Sequence, residues 1–89
     1  MQHSIAELRK IASEWRQNNQ EHTGGIVCIW ERSAYCWKNE LRDPNHERPS
    51  VYAVLEDGQV FIAEGGNYQN GAEQWAEVAP AANKNLAQR

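Results

Sequence analysis

Eighty-nine residues carrying 12 acidic and 9 basic side chains, a net charge of −3 and 40% hydrophobic residues make one small domain. A chain this size hides only ~60–65% of the surface its unfolded form exposes, so a single core is all it can build. The charge is uneven, because residues 49–83 hold Glu56, Asp57, Glu64, Glu73 and Glu77 with no Lys or Arg; a nucleic-acid partner is therefore not expected, and a partner steered by charge is basic.

Ser4 followed three residues later by Glu7 is a capping box and predicts a helix start. Ile5, Leu8, Ile11, Ala12 and Trp15 recur at helical spacing on one stripe, with Glu7, Arg9, Lys10, Ser13, Glu14 and Arg16 around the rest. The polar run from Gln17 to Thr23 and then Gly24-Gly25 stop the helix and turn the chain. The opening MQHSIAELRK has no apolar stretch, and nowhere do ~18 apolar residues run together, so neither a signal peptide nor a membrane span is expected and a cytoplasmic location is.

From Gly25 the period changes. Ile26-Val27-Cys28-Ile29-Trp30 and Ala34-Tyr35-Cys36-Trp37 read as a hairpin. A two-residue loop at Arg32-Ser33 sets Cys28 opposite Trp37 and sends Cys36 to the other face. A three-residue loop sets Cys28 opposite Cys36, but Glu-Arg-Ser lacks a residue tolerant of positive φ. Free, mostly buried thiols are the expectation. A second hairpin is predicted at Asp57-Gly58, whose type I′ turn pairs Glu56 with Gln59, Leu55 with Val60 and Ala53 with Ile62 on one face, and Val54 with Phe61 and Tyr52 with Ala63 on the other. Both faces of that pair are apolar, and one short helix covers only one of them.

The connection from Lys38 to Ser50 is long for so small a domain, with Leu41 as an anchor, Pro44 and Pro49 as stiffeners, and Arg42, Asp43, Glu47 and Arg48 able to pair with one another. Beyond the second hairpin, Gly65-Gly66 breaks the strand, and Asn67-Tyr68-Gln69-Asn70-Gly71 supplies turn residues. Trp75-Ala76-Glu77-Val78 returns as a short fifth strand or a lid. The order Asp57-Gly58, Val60-Phe61-Ile62-Ala63, Asn67, then Trp75-x-x-Val78 resembles compact carbohydrate-binding modules of the chitin-binding type, with their glycine turn, V-Y-x-A segment, variable loop and closing W-x-x-V. The resemblance covers residues 56–78, while the N-terminal helix and the extra hairpin depart from that family. It implies a way of closing the sheet and, secondarily, sugar stacking at the 65–75 loop.

No chemistry-bearing constellation emerges. His46 near Glu40, Asp43 or Glu47 lacks a paired nucleophile, His3, His22 and His46 are isolated, and no HExxH or phosphate-loop pattern occurs. Cysteines eight apart match neither a CxxC redox motif nor a zinc site. The expectation is a non-enzyme without metal or cofactor, α+β in class: one N-terminal helix on an antiparallel four-stranded sheet of two hairpins, a fifth strand near 75–78, a domain over 1–79 and a flexible tail over 80–89. Its expected role is an interaction module that binds itself as a homodimer or another protein through an aromatic face of Trp30, Tyr35, Trp37, Tyr52 and Phe61. Size and acidity also suit an accessory protein of a phage or plasmid. The second reading is a small-ligand or carbohydrate binder that uses Asn67, Tyr68, Asn70 and Trp75.

Overall fold

The computed structural model describes residues 4–81; the tail expected over 80–89 lies largely outside them. Helix α1 (Ile5–Gln17) precedes strands β1 (Ile26–Trp30) and β2 (Ser33–Lys38), a 3₁₀ turn η1 (Pro44–His46), and β3 (Tyr52–Leu55), β4 (Val60–Glu64) and β5 (Gln74–Ala79). All five strands form one antiparallel sheet in the order β2-β1-β3-β4-β5, so the fold is α+β. No helix among the described residues is long and apolar enough to cross a membrane.

The helix begins where its cap requires: Ser4 Oγ accepts the Glu7 N–H at 3.0 Å. Its stripe then buries Leu8 and Ala12, with Ile5, Ile11 and Trp15 half-buried, against Val27, Ile29, Val54, Val60 and Ala79. Two arginines of its polar circumference fasten it to the sheet. Arg9 donates to the carbonyls of Gly58 and Pro80, both at 2.9 Å, and Arg16 donates to Gly24 at 2.6 Å and Gly25 at 3.1 Å. His22 stacks between Trp15 and Trp37, with ring centroids 5.8 and 4.6 Å away, and closes the end of the helix layer.

Both hairpins differ from their predicted registers. In the first, the two-residue turn is Glu31-Arg32, Trp30 pairs with Ser33, and a bulge then realigns the strands so that Cys28 faces Cys36 and Val27 faces Trp37. In the second, Val54 pairs with Val60, Ala53 with Phe61 and Tyr52 with Ile62, one residue away from the expected pairing. Its loop has three residues: the Gly58 N–H reaches the Leu55 carbonyl at 3.0 Å, and only Gly58 in that loop has positive φ (97°). The longer loop avoids placing Asp57 in the left-handed region, which costs an L-residue about 1–2 kcal/mol. Turn chemistry therefore did not set the registers; burial did, since the observed pairing puts Val54 and Val60 on the helix face and Ala53 and Ala63 on the other.

The second sheet face, expected to lie bare, is covered by the chain's own loops. Ile26, Cys28, Val51 and Ala53 are fully buried there, joined by Ala63 and Ala72, with Trp30, Leu41, Leu55, Phe61 and Trp75 packed around them. The 39–51 segment crosses this face and pairs with β4, the Ser50 N–H reaching the Ala63 carbonyl at 2.7 Å and the Ala63 N–H reaching Val51 at 2.8 Å. The 65–73 loop locks onto it through the Ala72 N–H and the Glu47 carbonyl at 2.9 Å. The two loops touch at Gly71, which has φ +84° and where a Cβ would lie 1.9 Å from the Asn45 carbonyl oxygen. Gly71→Ala should accordingly cost about 2–5 kcal/mol in urea unfolding, from left-handed strain plus overpacking. Gly24→Ala has a similar positive φ but open space around it and should cost only about 1–2 kcal/mol; equal losses for the two would contradict this account of the loop junction.

Candidate functional site

Among the described residues, the large hydrophobic side chains left exposed are Tyr35, Tyr68 and Val78. Tyr35 and Val78 occupy the two bulges, at the β1–β2 and β4–β5 pairings. A bulge inserts an unpaired residue and re-aims its side chain, and at Tyr35 the effect is to carry the phenol to the carboxylate of Glu47, which accepts a hydrogen bond from its hydroxyl.

Glu47 sits at the end of η1, 6% exposed, where a lone carboxylate is strongly disfavoured. Lys38 Nζ lies 2.7 Å from its other oxygen, and the sulfurs of Cys28 and Cys36 form a cluster with it in which all three ligand-type atoms lie within 4.8 Å of one another. Strand alternation explains the gathering, because Cys36 and Lys38 are two apart on one strand and share the loop face with Cys28. Burial, then the bond to Glu47, pushes the Tyr35 hydroxyl up from its ordinary value. Donation to Cys36 and burial push the Cys28 thiol up, and acceptance of that same S–H draws Cys36 down against burial and the Glu47 charge.

A cleft of about 460 Å³ opens above this network, lined by Trp30, Glu31, Ser33, Tyr35, His46, Glu47 and Arg48. Arg48 lies over the Trp30 ring at 4.6 Å and 5.6 Å from the Tyr68 ring, while Tyr68, 69% exposed, meets Trp30 edge-on at 6.4 Å. Among the described residues the Arg48 guanidinium meets these two rings and no carboxylate, leaving its fork of donors open. The four non-glycine residues of positive φ among the described residues, Glu31, Arg32, Asp43 and Ser50, all fall in the two segments that flank this cleft.

The residues expected to form one aromatic face are therefore dispersed. Trp37 and Tyr52 pack on the helix side, Trp30 and Phe61 on the opposite side, and Tyr35 turns out at the edge. The physical reason is alternation: the bulge and the one-residue register change separate residues that a regular hairpin would have aligned. The loop candidates separate too. Trp75 closes the second core and donates its indole N–H to the Arg42 carbonyl at 3.2 Å, and Asn67 Oδ1 accepts the Asn70 N–H at 2.7 Å to shape the loop, leaving Tyr68 free at its tip. His46 is exposed, with the Asp43 carboxylate 4.0 Å from Nδ1. Sequence reasoning singled out neither Lys38 nor the Glu47–Tyr35 bond; the available signal was a lysine in phase with two apolar-face cysteines, which demands a buried partner. Arg48 and Glu47, read as pairing within their own loop, turn instead to Trp30 and Lys38. Comparison with family models, with curated proteins and with solved structures finds no match.

Two measurements check the network. Lys38→Met alone leaves the buried Glu47 charge without its countercharge and should cost about 3–5 kcal/mol, whereas Lys38→Met with Glu47→Leu should recover most of that loss; an additive double variant would contradict the pairing. The sign for Tyr35 follows from its raised folded value: the folded chain keeps the proton that the unfolded chain releases near pH ~10. Its contribution is present below that pH and lost as pH rises further, so the urea midpoint should fall in that window, and Tyr35→Phe should flatten the fall.

Proposed function

We propose that this protein is a non-catalytic interaction module that engages a protein partner through the end of the sheet formed by Trp30, Tyr35, Arg48 and Tyr68. The observation that carries this reading is the exposed Arg48 guanidinium, which lies over the Trp30 ring and near Tyr68 and meets no carboxylate among the described residues, at a cleft large enough for an inserted side chain. Trp, Tyr and Arg are the residue types that dominate binding hot spots, and they do so where they are pre-organised and ringed by well-packed neighbours. Contact with the Trp30 ring favours one placement of the Arg48 guanidinium, and a planar fork loses less freedom per hydrogen bond formed than a flexible ammonium does. Positive φ at Glu31, Arg32, Asp43 and Ser50 adds support, since backbone strain of this kind is kept where the surrounding structure over-determines it and clusters at binding sites. The partner accordingly supplies an apolar side chain to the cleft and a carboxylate or carbonyl to Arg48. Self-association through a bare sheet face loses its motive, because the loops occupy that face.

A small-ligand reading follows from the cleft volume, which lies within the ~300–1,000 Å³ range of ligand sites. A flat sugar platform is less well supported, since Trp30 and Tyr68 stand at 84° to one another and Trp75 faces elsewhere.

The test is capture from an extract of the native cell with the wild-type protein and with Arg48→Ala/Tyr68→Ala as baits. Both residues are exposed, so the variant should keep its thermal unfolding midpoint to within a few degrees. A partner retained by the wild type should bind the variant more weakly by at least ~2 kcal/mol, roughly thirtyfold in affinity. Identical retention by both baits would remove the proposal, and ligand-induced quenching of tryptophan emission by small molecules in the absence of any retained protein would shift it to the second reading.

A further inference from the structure

The binding reading leaves two thiols unused. Cys28 and Cys36 are direct partners across β1 and β2, and their sulfurs lie within the 4.8 Å cluster beside Glu47. Opposed residues of an antiparallel pair have Cα atoms ~4.5 or ~5.5 Å apart, and both spacings fall inside the range a disulfide spans. The bulge between Cys28 and Ile29 gives the pair local slack to close. Access is asymmetric: Cys28 is fully buried, and Cys36 is half-buried on the edge strand.

We propose that Cys28 and Cys36 are a thiol–disulfide exchange pair, Cys36 attacking and Cys28 resolving, that closes to a cross-strand disulfide with a low-molecular-weight disulfide as oxidant. In the first step the Cys36 thiolate attacks one sulfur of the oxidant, forming a mixed disulfide and releasing one small thiolate. Cys28 passes its proton to that thiolate and attacks the Cys36 sulfur. The bond to the second small sulfur breaks, and the proton left by Cys36 completes the second small thiol. The protein loses two hydrogens and two electrons, and the oxidant becomes two thiols. The neighbouring Cys28 thiol and Lys38, two residues along the same strand, favour the Cys36 thiolate, while burial and the Glu47 charge oppose it. Metal binding by the same cluster is disfavoured, since the Glu47 carboxylate is held by Lys38 on one oxygen and by the Tyr35 hydroxyl on the other. A metal would have to displace both.

The experiment equilibrates the full-length chain with mixtures of reduced and oxidised glutathione, quenches in acid and weighs the intact protein. Wild type should lose two hydrogens and form no disulfide link between chains. Cys28→Ala should stop at one glutathione adduct on Cys36, and Cys36→Ala should take up glutathione at least about tenfold more slowly than Cys28→Ala, because its remaining thiol is buried. Circular dichroism establishes that each variant is folded, and the wild-type measurement needs no variant. Wild type unchanged in every mixture, oxidised only to linked dimers, or variants reacting at equal rates would each overturn the proposal. Retention of one equivalent of zinc by the reduced protein through dialysis would also overturn it, assigning the thiols to a metal.

Discussion

One buried carboxylate holds the second half of the molecule in place. Glu47 enters an apolar layer only because Lys38 neutralises it and Tyr35 donates to it, and its backbone carbonyl takes the Ala72 N–H. The side chain therefore ties the 39–51 segment to β2, and the main chain ties that segment to the 65–73 loop. Each partner depends on the local backbone. Lys38 points inward because it is in phase with Cys36, and Tyr35 reaches the carboxylate because a bulge lifts it out of alternation. An apolar residue at position 47 would cover the same surface, but it would not select one loop position. The ion pair and phenol supply position more than free energy.

The two bulges have a second consequence. Both lie in the pairings that involve the outer strands β2 and β5. Bulges twist outer strands away from regularity and so discourage further strands from adding. Among the described residues both faces of the sheet are covered, and both outer pairings are irregular. What stays open is the end of the molecule where Trp30, Arg48 and Tyr68 meet.

The four tryptophans of this chain occupy different environments. Trp15 and Trp37 enclose His22 at the end of the helix layer, and Trp75 seals the second core with its indole bonded to Arg42. Among the described residues Trp30 is the one under a guanidinium, and it lines the cleft. A high aromatic content says little by itself, because the same ring fills a core or anchors a partner. Arg48 distinguishes Trp30 from the other three, since its guanidinium lies over that ring at the cleft.

Local chemistry was enough for the helix, its cap and its buried stripe and for the existence of the first four strands, because each depends on residues a few positions apart, whereas 75–78 read equally as a fifth strand or a lid until its pairing with β4 decided it. The capping distance is set by Ser4 and Glu7, and the stripe by 3.6-residue periodicity, whatever the rest of the chain does. Registers were another matter. Asp57-Gly58 has the residue types of a two-residue turn and Glu31-Arg32 does not, yet the fold uses the tighter turn at the second and a three-residue loop at the first. Pairing is a contest between a turn's local preference of about 1–2 kcal/mol and the summed burial of two strands, and the burial term is known only when both covering layers are present. For the same reason the cleft and its rim were invisible beforehand: Trp30, Glu47 and Arg48, which line it, and Tyr68, which touches Trp30 and Arg48, are drawn from three separate segments and become neighbours only when the loops fold back across the sheet.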